Sequence, residues 1–157
     1  MKKSDVLFFT GLLGLTVGII LVVLFKFVIK TGDTFAILNF RDINVMEFNG
    51  NNGELKNFLS KDETTYCLIF DLNDCYSCIN RGLEELKTLK SQGSACLGIV
   101  IHDFIEEVRG WAANYEFSPF LMLKRGDFYK HVKTPYTPVL VIFEGEKVGS
   151  YRFITNN

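Results

Sequence analysis

Two cysteines separated by two residues, Cys75 and Cys78, are the side chains of this sequence best suited to do chemistry. They follow an apolar run, Tyr66–Phe70, and open a segment with helical periodicity, so both thiols fall on one face of a helix. There Cys75 meets the unpaired N–H groups and the positive dipole end of the helix, which favour a thiolate over a thiol. Because a thiolate is the nucleophile of disulfide exchange, the spacing predicts a redox-active pair.

The cysteines and histidines could also bind a metal or pack in the core. A CxxC pair can be half of a zinc site, but His102 and His131 offer no second spaced pair of ligands, and we interpret both as ordinary residues. Cys67 and Cys96 begin neighbouring predicted strands and could face each other. Free cysteine is among the most buried residue types, which favours two small buried side chains. We therefore predict no metal and no cofactor besides the cysteine pair.

The segments around the pair alternate between strand and helix patterns. We predict a strand over Ile43–Phe48, a turn over 49–53, a short helix over Glu54–Leu59, a buried strand over Tyr66–Phe70, a helix from the cysteine pair through Leu89, and a buried strand over Ala95–Ile101. Asp103, with Glu106 three residues on, is the predicted N-cap of the next helix. Strand, helix, strand and helix in succession predict an α/β fold with a parallel βαβ core.

The last third adds a predicted β-hairpin that a proline introduces. Its strands are Val139–Phe143 and Val148–Phe153, with a turn over 144–147. Pro138 is tolerated at the start of a strand because it need not donate to the ladder there. It is also a position where the surrounding structure could maintain a cis peptide bond.

The N-terminal part predicts a membrane anchor. Val6–Phe25 carries no charge, and 20 residues at ~1.5 Å each span about 30 Å, the thickness of a bilayer core. We predict a transmembrane helix over about 6–29 in an anchor 1–30, a linker 31–39 and a domain 40–157. A cleaved signal peptide is the alternative, but this apolar stretch exceeds the usual ~7–15 residues and no small-x-small cleavage site follows. The short N-terminal tail favours a cytoplasmic N-terminus and an extracytoplasmic domain.

The charge of the predicted domain excludes some partners. Beyond residue 30 there are 13 Lys and Arg against 17 Asp and Glu, a net charge of −4. The sequence has no basic patch that would predict nucleic acid or anionic lipid as a partner. The lipid bilayer is expected as a partner through the N-terminal helix.

The chain resembles the thioredoxin superfamily, in particular its membrane-anchored, redoxin-like, extracytoplasmic thiol-disulfide oxidoreductases. The residues that carry the resemblance are Phe70, the sequence Cys75-Tyr-Ser-Cys78, and Thr137-Pro138 ahead of Val139–Phe143, within a match over roughly 40–153. The resemblance implies a thioredoxin-like fold with a central mixed sheet behind the transmembrane helix. The C-terminal helix usual in that fold is missing after the last strand, so we expect a partner, a second copy or the membrane to cover the exposed sheet face.

The resemblance also implies roles for single residues. Cys75 would be the attacking thiol, Cys78 the resolving thiol and Pro138 a cis-proline beside them. The Thr137 backbone would pair with a substrate chain as an added edge strand. Tyr76 and Ser77, between the cysteines, complete the expected substrate-binding residues.

Two carboxylates depart from the family pattern. Asp74 stands where an aromatic residue commonly precedes the first cysteine, and Asp71 stands where another is usual. Charges so close to Cys75 are expected to raise its pKa. Asp71 could alternatively accept the proton of Cys78.

These features predict an enzyme that exchanges disulfides with client proteins. Cys75 would form a mixed disulfide with a client thiol or disulfide, and Cys78 would resolve it. No cofactor is expected beyond the redox-active disulfide of Cys75 and Cys78. A membrane or extracytoplasmic electron donor would reduce this disulfide after each cycle. The expected direction is reduction of client proteins during their maturation. The alternatives are a non-enzymatic membrane-tethered scaffold and a copper-delivery protein that uses both cysteines with one distant histidine.

Overall fold

The structure is a computed structural model, and it describes residues 42–132 and 136–155. In order, its elements are β1 Asn44–Glu47, β2 Asn52–Glu54, a 3-10 helix Leu55–Phe58, β3 Thr64–Asp71, α1 Tyr76–Ser91, β4 Ala95–Ile101, α2 Ile105–Ala112, β5 Phe120–Leu123, α3 Arg125–His131, β6 Val139–Glu144 and β7 Lys147–Phe153. None of the helices within these residues is long and apolar enough to span a bilayer. The predicted anchor and linker lie outside the described residues.

The described strands form one seven-stranded mixed sheet in the order β2-β1-β5-β4-β3-β6-β7. β3, β4 and β5 run parallel, whereas β6 is antiparallel to β3, β7 to β6, and β1 to both β2 and β5. The predicted mixed sheet, βαβ core and hairpin are confirmed. The carboxyl ends of β3 and β4 and the start of β6 therefore meet at one edge, where Cys75 follows β3.

The two faces of β3 are both buried, as its continuous apolar sequence predicts. Leu68 and Phe70 point to the face that α1 and α2 cover, where they share one core with Ile79, Leu83 and Val108. On the opposite face lie Cys67 and Ile69, because side chains alternate along a strand. The apolar stripe of α1 thereby fixes the cysteine pair, which opens that helix, above the sheet.

Cys67 and Cys96 do not face each other. The register pairs Cys67 with Leu97 and Cys96 with Tyr66, so the two thiols point to opposite faces of the sheet. Both are buried and free. Burial raises the pKa of each thiol, and the interpretation of both as small core side chains is confirmed.

The start of α2 differs from the prediction. Its N-cap is Phe104, which makes no side-chain capping bond. Asp103 instead accepts a hydrogen bond from the backbone N–H of Arg125 (3.2 Å) at the start of α3. The Asp103 carboxylate therefore bonds to a residue that is distant in sequence, whereas the local pattern predicted that it would cap α2.

The hairpin is polar on the side where we expected an uncovered apolar face. Arg152 lies opposite Leu140, on the α1 side of the sheet, and forms an ion pair with Glu85 of α1. Arg81 of α1 donates to the carbonyl of Thr155 (3.1 Å). On this side the described part of β7 presents Ser150 and Arg152, so the expected uncovered apolar surface is not present there.

Candidate active site

Cys75 and Cys78 lie at the start of α1, at the sheet edge. Cys75 is the N-cap residue and is exposed, and its carbonyl accepts the backbone N–H of Cys78 (2.9 Å) and of Ile79 (3.0 Å). Cys78 is in the first turn and only 6% exposed. Both are free thiols. One thiol can thus meet another protein while the second is shielded directly beneath it.

The pKa of Cys75 is lowered, and the predicted increase is therefore wrong. The main causes are hydrogen bonds to its sulfur from the Cys78 thiol and from Ser77, whose Oγ lies 3.1 Å from Cys75 Sγ. The carboxylates expected to raise the pKa are bonded to other groups. Cys75 is consequently the thiol that ionises more readily.

The pKa of Cys78 moves in the opposite direction. It is raised by its hydrogen bond with Cys75 and by burial, with a small contribution from the charge of Asp74. An exposed thiol of low pKa above a buried thiol of high pKa provides one nucleophile and one reserve thiol. Chemically, the pair can attack a disulfide with one sulfur and resolve the product with the other.

The lowered pKa makes a measurable prediction for alkylation. The rate at which iodoacetamide modifies Cys75 should rise with pH at values below those of an ordinary thiol, near pH 8.5, while Cys78 should react later. Substituting Ser77→Ala removes one hydrogen bond to the thiolate and should move the Cys75 profile to higher pH. Mass spectrometry of the two cysteines against pH measures this. Ser91→Ala, at the other end of α1, is the matched control, and an unshifted Cys75 profile in Ser77→Ala would contradict the assignment.

Asp71, the predicted proton acceptor, is bonded to Arg125 at the start of α3. Arg125 Nη2 and Nε lie 2.8 and 3.1 Å from Asp71 Oδ2, and Asp71 Oδ1 accepts the backbone N–H of Asn73 (3.0 Å). The Asp71 side chain is 14% exposed. Both carboxylate oxygens are engaged, so the residue acts structurally by joining the end of β3 to α3, and its proton-transfer role remains a prediction.

Asp74 connects the cysteine turn to the proline loop. Its Oδ2 accepts the backbone N–H of Asp71 (2.8 Å) and its Oδ1 accepts the hydroxyl of Thr137 (3.0 Å). Burial raises the pKa of the Asp74 carboxyl, and these two hydrogen bonds oppose that increase. The sequence offered an acidic residue before Cys75 but no signal for its partner 63 residues away.

Pro138 follows a cis peptide bond from Thr137, as predicted. Pro138 is buried and Thr137 is half-buried. The carbonyl of Pro138 accepts the N–H of Ile154 (2.8 Å), which ties the loop to the end of β7. The hydrogen bond from Thr137 to Asp74 brings this loop to the turn that carries Cys75, so the structure unites these predicted residues at one edge.

Tyr76 and Ser77 flank the buried thiol on the outer side. Tyr76 is 68% exposed, and hydrogen bonds with Asn80 and Tyr115 lower its pKa. Tyr115 donates to Asn80 Oδ1 (3.1 Å) and lies against Trp111, with ring centroids 4.2 Å apart. Burial and the Tyr76 hydroxyl raise the pKa of Tyr115 to about 12. Neither Trp111 nor Tyr115 was among the predicted site residues.

Exposed aromatic side chains, which we call the aromatic rim, come from segments near this edge. Its members are the large apolar side chains that remain exposed in the described chain: Tyr76, Phe104, Tyr129, Tyr136 and Phe153. Three of them follow β3, β4 or β5, one precedes β6 and one is the last residue of β7, and these ends of the strands lie on the side of the sheet where Cys75 follows β3. The rings of Tyr136 and Phe153 are in contact, with centroids 5.8 Å apart. Such clustering at one edge is typical of a surface that binds another protein.

Other potential sites lie apart from the cysteine pair. A cavity of about 340 Å³ is lined by Asn44, Val45, Met46, Asn52, Met122, Lys124 and Asp127, none of them a predicted site residue. Across residues 42–132 and 136–155, no three His, Cys, Asp or Glu side chains group as a metal site would require. His102 Nε2 lies 3.3 Å from Glu107 Oε2, as in an ordinary surface contact.

No protein-family model and no curated protein matches this chain. Solved structures do. An uncharacterized thioredoxin-like protein from Porphyromonas gingivalis is 18% identical, covers 77% of this chain and 82% of its own, and has a TM-score of 0.59. The thioredoxin domain of a thiol-disulfide oxidoreductase from Bacteroides vulgatus is 13% identical over 79% of this chain and 92% of its own, with a TM-score of 0.59.

The domain has a thioredoxin-like fold. A secreted disulfide oxidoreductase from Mycobacterium tuberculosis is also similar, at 11% identity over 73% of this chain and 85% of its own, with a TM-score of 0.56. The predicted thioredoxin-like fold is thus confirmed. In this thioredoxin-like domain, Cys75 and Cys78 open the helix that follows β3, and Pro138 opens the strand beside it.

Proposed function

We propose that this chain is a membrane-anchored thiol-disulfide oxidoreductase that exchanges disulfides with extracytoplasmic client proteins. The observation that carries the proposal is the opposed pair of thiols: Cys75 exposed with a lowered pKa, and Cys78 buried with a raised one. The thioredoxin-like fold and the cis-proline loop beside the pair support it. Two of the similar structures are disulfide oxidoreductases by description.

The exchange balances as two successive sulfur displacements. The Cys75 thiolate attacks one sulfur of a client disulfide, the client S–S bond breaks, and the other client sulfur leaves as a thiolate and takes a proton. Cys78 then loses its proton and attacks Cys75 Sγ, which forms the Cys75–Cys78 disulfide and releases the second client thiolate. The client gains two electrons and the pair loses them. An external dithiol must therefore reduce the pair before the next cycle.

The residues around Cys75 fit a polypeptide client. The Thr137 backbone precedes Pro138 at the start of β6, where an extended client segment could pair as an added strand. Tyr76 and Ser77 directly follow Cys75, Ser77 Oγ lies 3.1 Å from Cys75 Sγ, and the Tyr76 ring is exposed. We infer that clients present their cysteine in an extended segment with apolar or aromatic neighbours, because rings such as Tyr76 and Tyr136 gain most from burying such groups.

The location of the activity follows from the N-terminal sequence. The uncharged run Val6–Phe25 is long enough to cross a bilayer, and a domain outside the cytoplasm would meet client disulfides there. The similar Mycobacterium tuberculosis enzyme is described as secreted. We infer that the pair works as a reductant in protein maturation, supplied by a membrane-associated electron donor.

A redox titration of the full-length chain in detergent tests the proposal. The protein is equilibrated across ratios of reduced to oxidised dithiothreitol, quenched in acid and alkylated, and the Cys75 and Cys78 peptides are quantified. We expect one reversible two-electron transition, and a potential more negative than about −200 mV would identify a reductant. Thiols that never pair, or that pair irreversibly, would contradict the proposal and support the scaffold or metal-delivery alternatives.

A further inference from the structure

Asp74 links two segments that the proposed exchange must keep in register. It directly precedes Cys75, and its partner Thr137 directly precedes Pro138. One carboxylate oxygen accepts the Asp71 N–H at 2.8 Å, and the other accepts the Thr137 hydroxyl at 3.0 Å. The attacking sulfur and the loop expected to bind the client are thus connected through a single side chain.

We propose that Asp74 is a positioning residue for disulfide exchange, which it serves by fixing the Thr137–Pro138 loop relative to Cys75. The client backbone would dock on Thr137 with its disulfide aligned on Cys75 Sγ. This inference rests on the proposed function and adds the residue that sets the geometry of the encounter.

The chemistry of the two contacts explains why a carboxylate suits this position. Both neighbours, the Asp71 N–H and the Thr137 hydroxyl, donate, and an ionised carboxylate accepts at both oxygens. Asparagine lacks the charge, and its NH2 group could only donate to the Thr137 oxygen, so it would weaken this contact without removing it, whereas alanine would remove both contacts. Hydrogen bonds to a charged acceptor are about twice as strong as neutral ones, and small displacements of a bound reactant lower the rate steeply.

The acidity of Cys75 has a separate origin. Its lowered pKa arises mainly from hydrogen bonds with Cys78 and Ser77. A small reagent that needs no docking surface should therefore attack Cys75 equally well with or without the Asp74–Thr137 hydrogen bond. A polypeptide disulfide should not.

The test uses the full-length chain with two readouts. The first is the rate of mixed-disulfide formation with a peptide disulfide that carries aromatic residues beside its cysteine, and the second is Cys75 alkylation by iodoacetamide. In Thr137→Val we expect the first rate to fall about tenfold and the second to stay within about twofold. Thr137→Ser should restore exchange because it keeps the hydroxyl. Thr64→Val, at an exposed position on β3, is the matched control.

A double-mutant cycle assigns the effect to Asp74. Asp74→Ala should also slow exchange, and the double variant Asp74→Ala with Thr137→Val should be no slower than Asp74→Ala alone, because that single change has already removed the contact with Thr137. Exchange in Thr137→Val and Asp74→Ala equal to that of Thr64→Val would overturn the inference while leaving the proposed function intact. An equal loss of both readouts would also overturn it, by showing general disruption. A wild-type chain that exchanges no disulfide would refute the proposed function itself.

Discussion

Replacing Cys75 by serine is expected to reduce disulfide exchange to the uncatalysed background. A serine hydroxyl stays protonated at neutral pH and cannot form the mixed disulfide, whereas the exposed Cys75 thiol ionises readily. Turnover of a peptide disulfide by the full-length chain, with dithiothreitol as electron donor, measures the loss. This is the largest effect we expect from a single substitution.

Two matched variants interpret that result. Cys78→Ser should keep the first step and accumulate the mixed disulfide, visible as a slower-moving band on a non-reducing gel, since the resolving thiol is missing. Cys96→Ala, in a buried position on the neighbouring strand, should leave exchange close to wild type. Full biological function in Cys75→Ser would show that the chain acts as a scaffold, and exchange chemistry would then be irrelevant to it.

Substituting Gly98→Ala is expected to destabilise the domain by about 3 kcal/mol. A Cβ at Gly98 of β4 would lie 2.3 Å from Cδ1 and 2.5 Å from Cε1 of Phe120. The Phe120 ring cannot easily move away, because it is only 6% exposed and packs against Phe70, Trp111 and Phe117. Urea unfolding monitored by Trp111 fluorescence measures the change in the free energy of unfolding.

Gly110→Ala is the matched control for this prediction. Gly110 is in α2, and a Cβ there would meet no atom within 4 Å. Alanine should therefore stabilise the helix by about 0.5–1 kcal/mol. If Gly98→Ala unfolded at the same urea concentration as wild type, that result would contradict the close packing of the Phe120 ring against Gly98.

The strands that consist of continuous apolar runs could be predicted from the sequence. Tyr66–Phe70 and Ala95–Ile101 are continuous apolar runs, and the structure places β3 and β4 there. β5 escaped prediction because it has four residues, Phe120–Leu123, too few to show a period. The prediction that Asp103 caps α2 was wrong because a capping pattern considers only nearby residues. The actual partner of Asp103 is the backbone N–H of Arg125, which tertiary structure places beside it.

The candidate site was predictable only in part, for the same reason. The two cysteines are neighbours along one helix, so their proximity follows from spacing alone. The direction of the Cys75 pKa depends on where the nearby carboxylates point. Asp71 bonds to Arg125, which is 54 residues further along the chain, and Asp74 bonds to Thr137, which is 63 residues further along. No periodicity in the sequence encodes either pairing.

The separate origins of acidity and docking geometry have an evolutionary and engineering consequence. The hydrogen bonds that lower the Cys75 pKa come from within one helical turn, from Ser77 and Cys78. The loop proposed to bind a client is joined to Asp74 through the hydroxyl of Thr137, 63 residues further along the chain. Under the proposed docking role of Asp74, substitution of Ser77 changes the acidity of Cys75 without altering the contact between Asp74 and Thr137, and substitution of Thr137 alters docking without altering the hydrogen bonds that Ser77 and Cys78 make to Cys75.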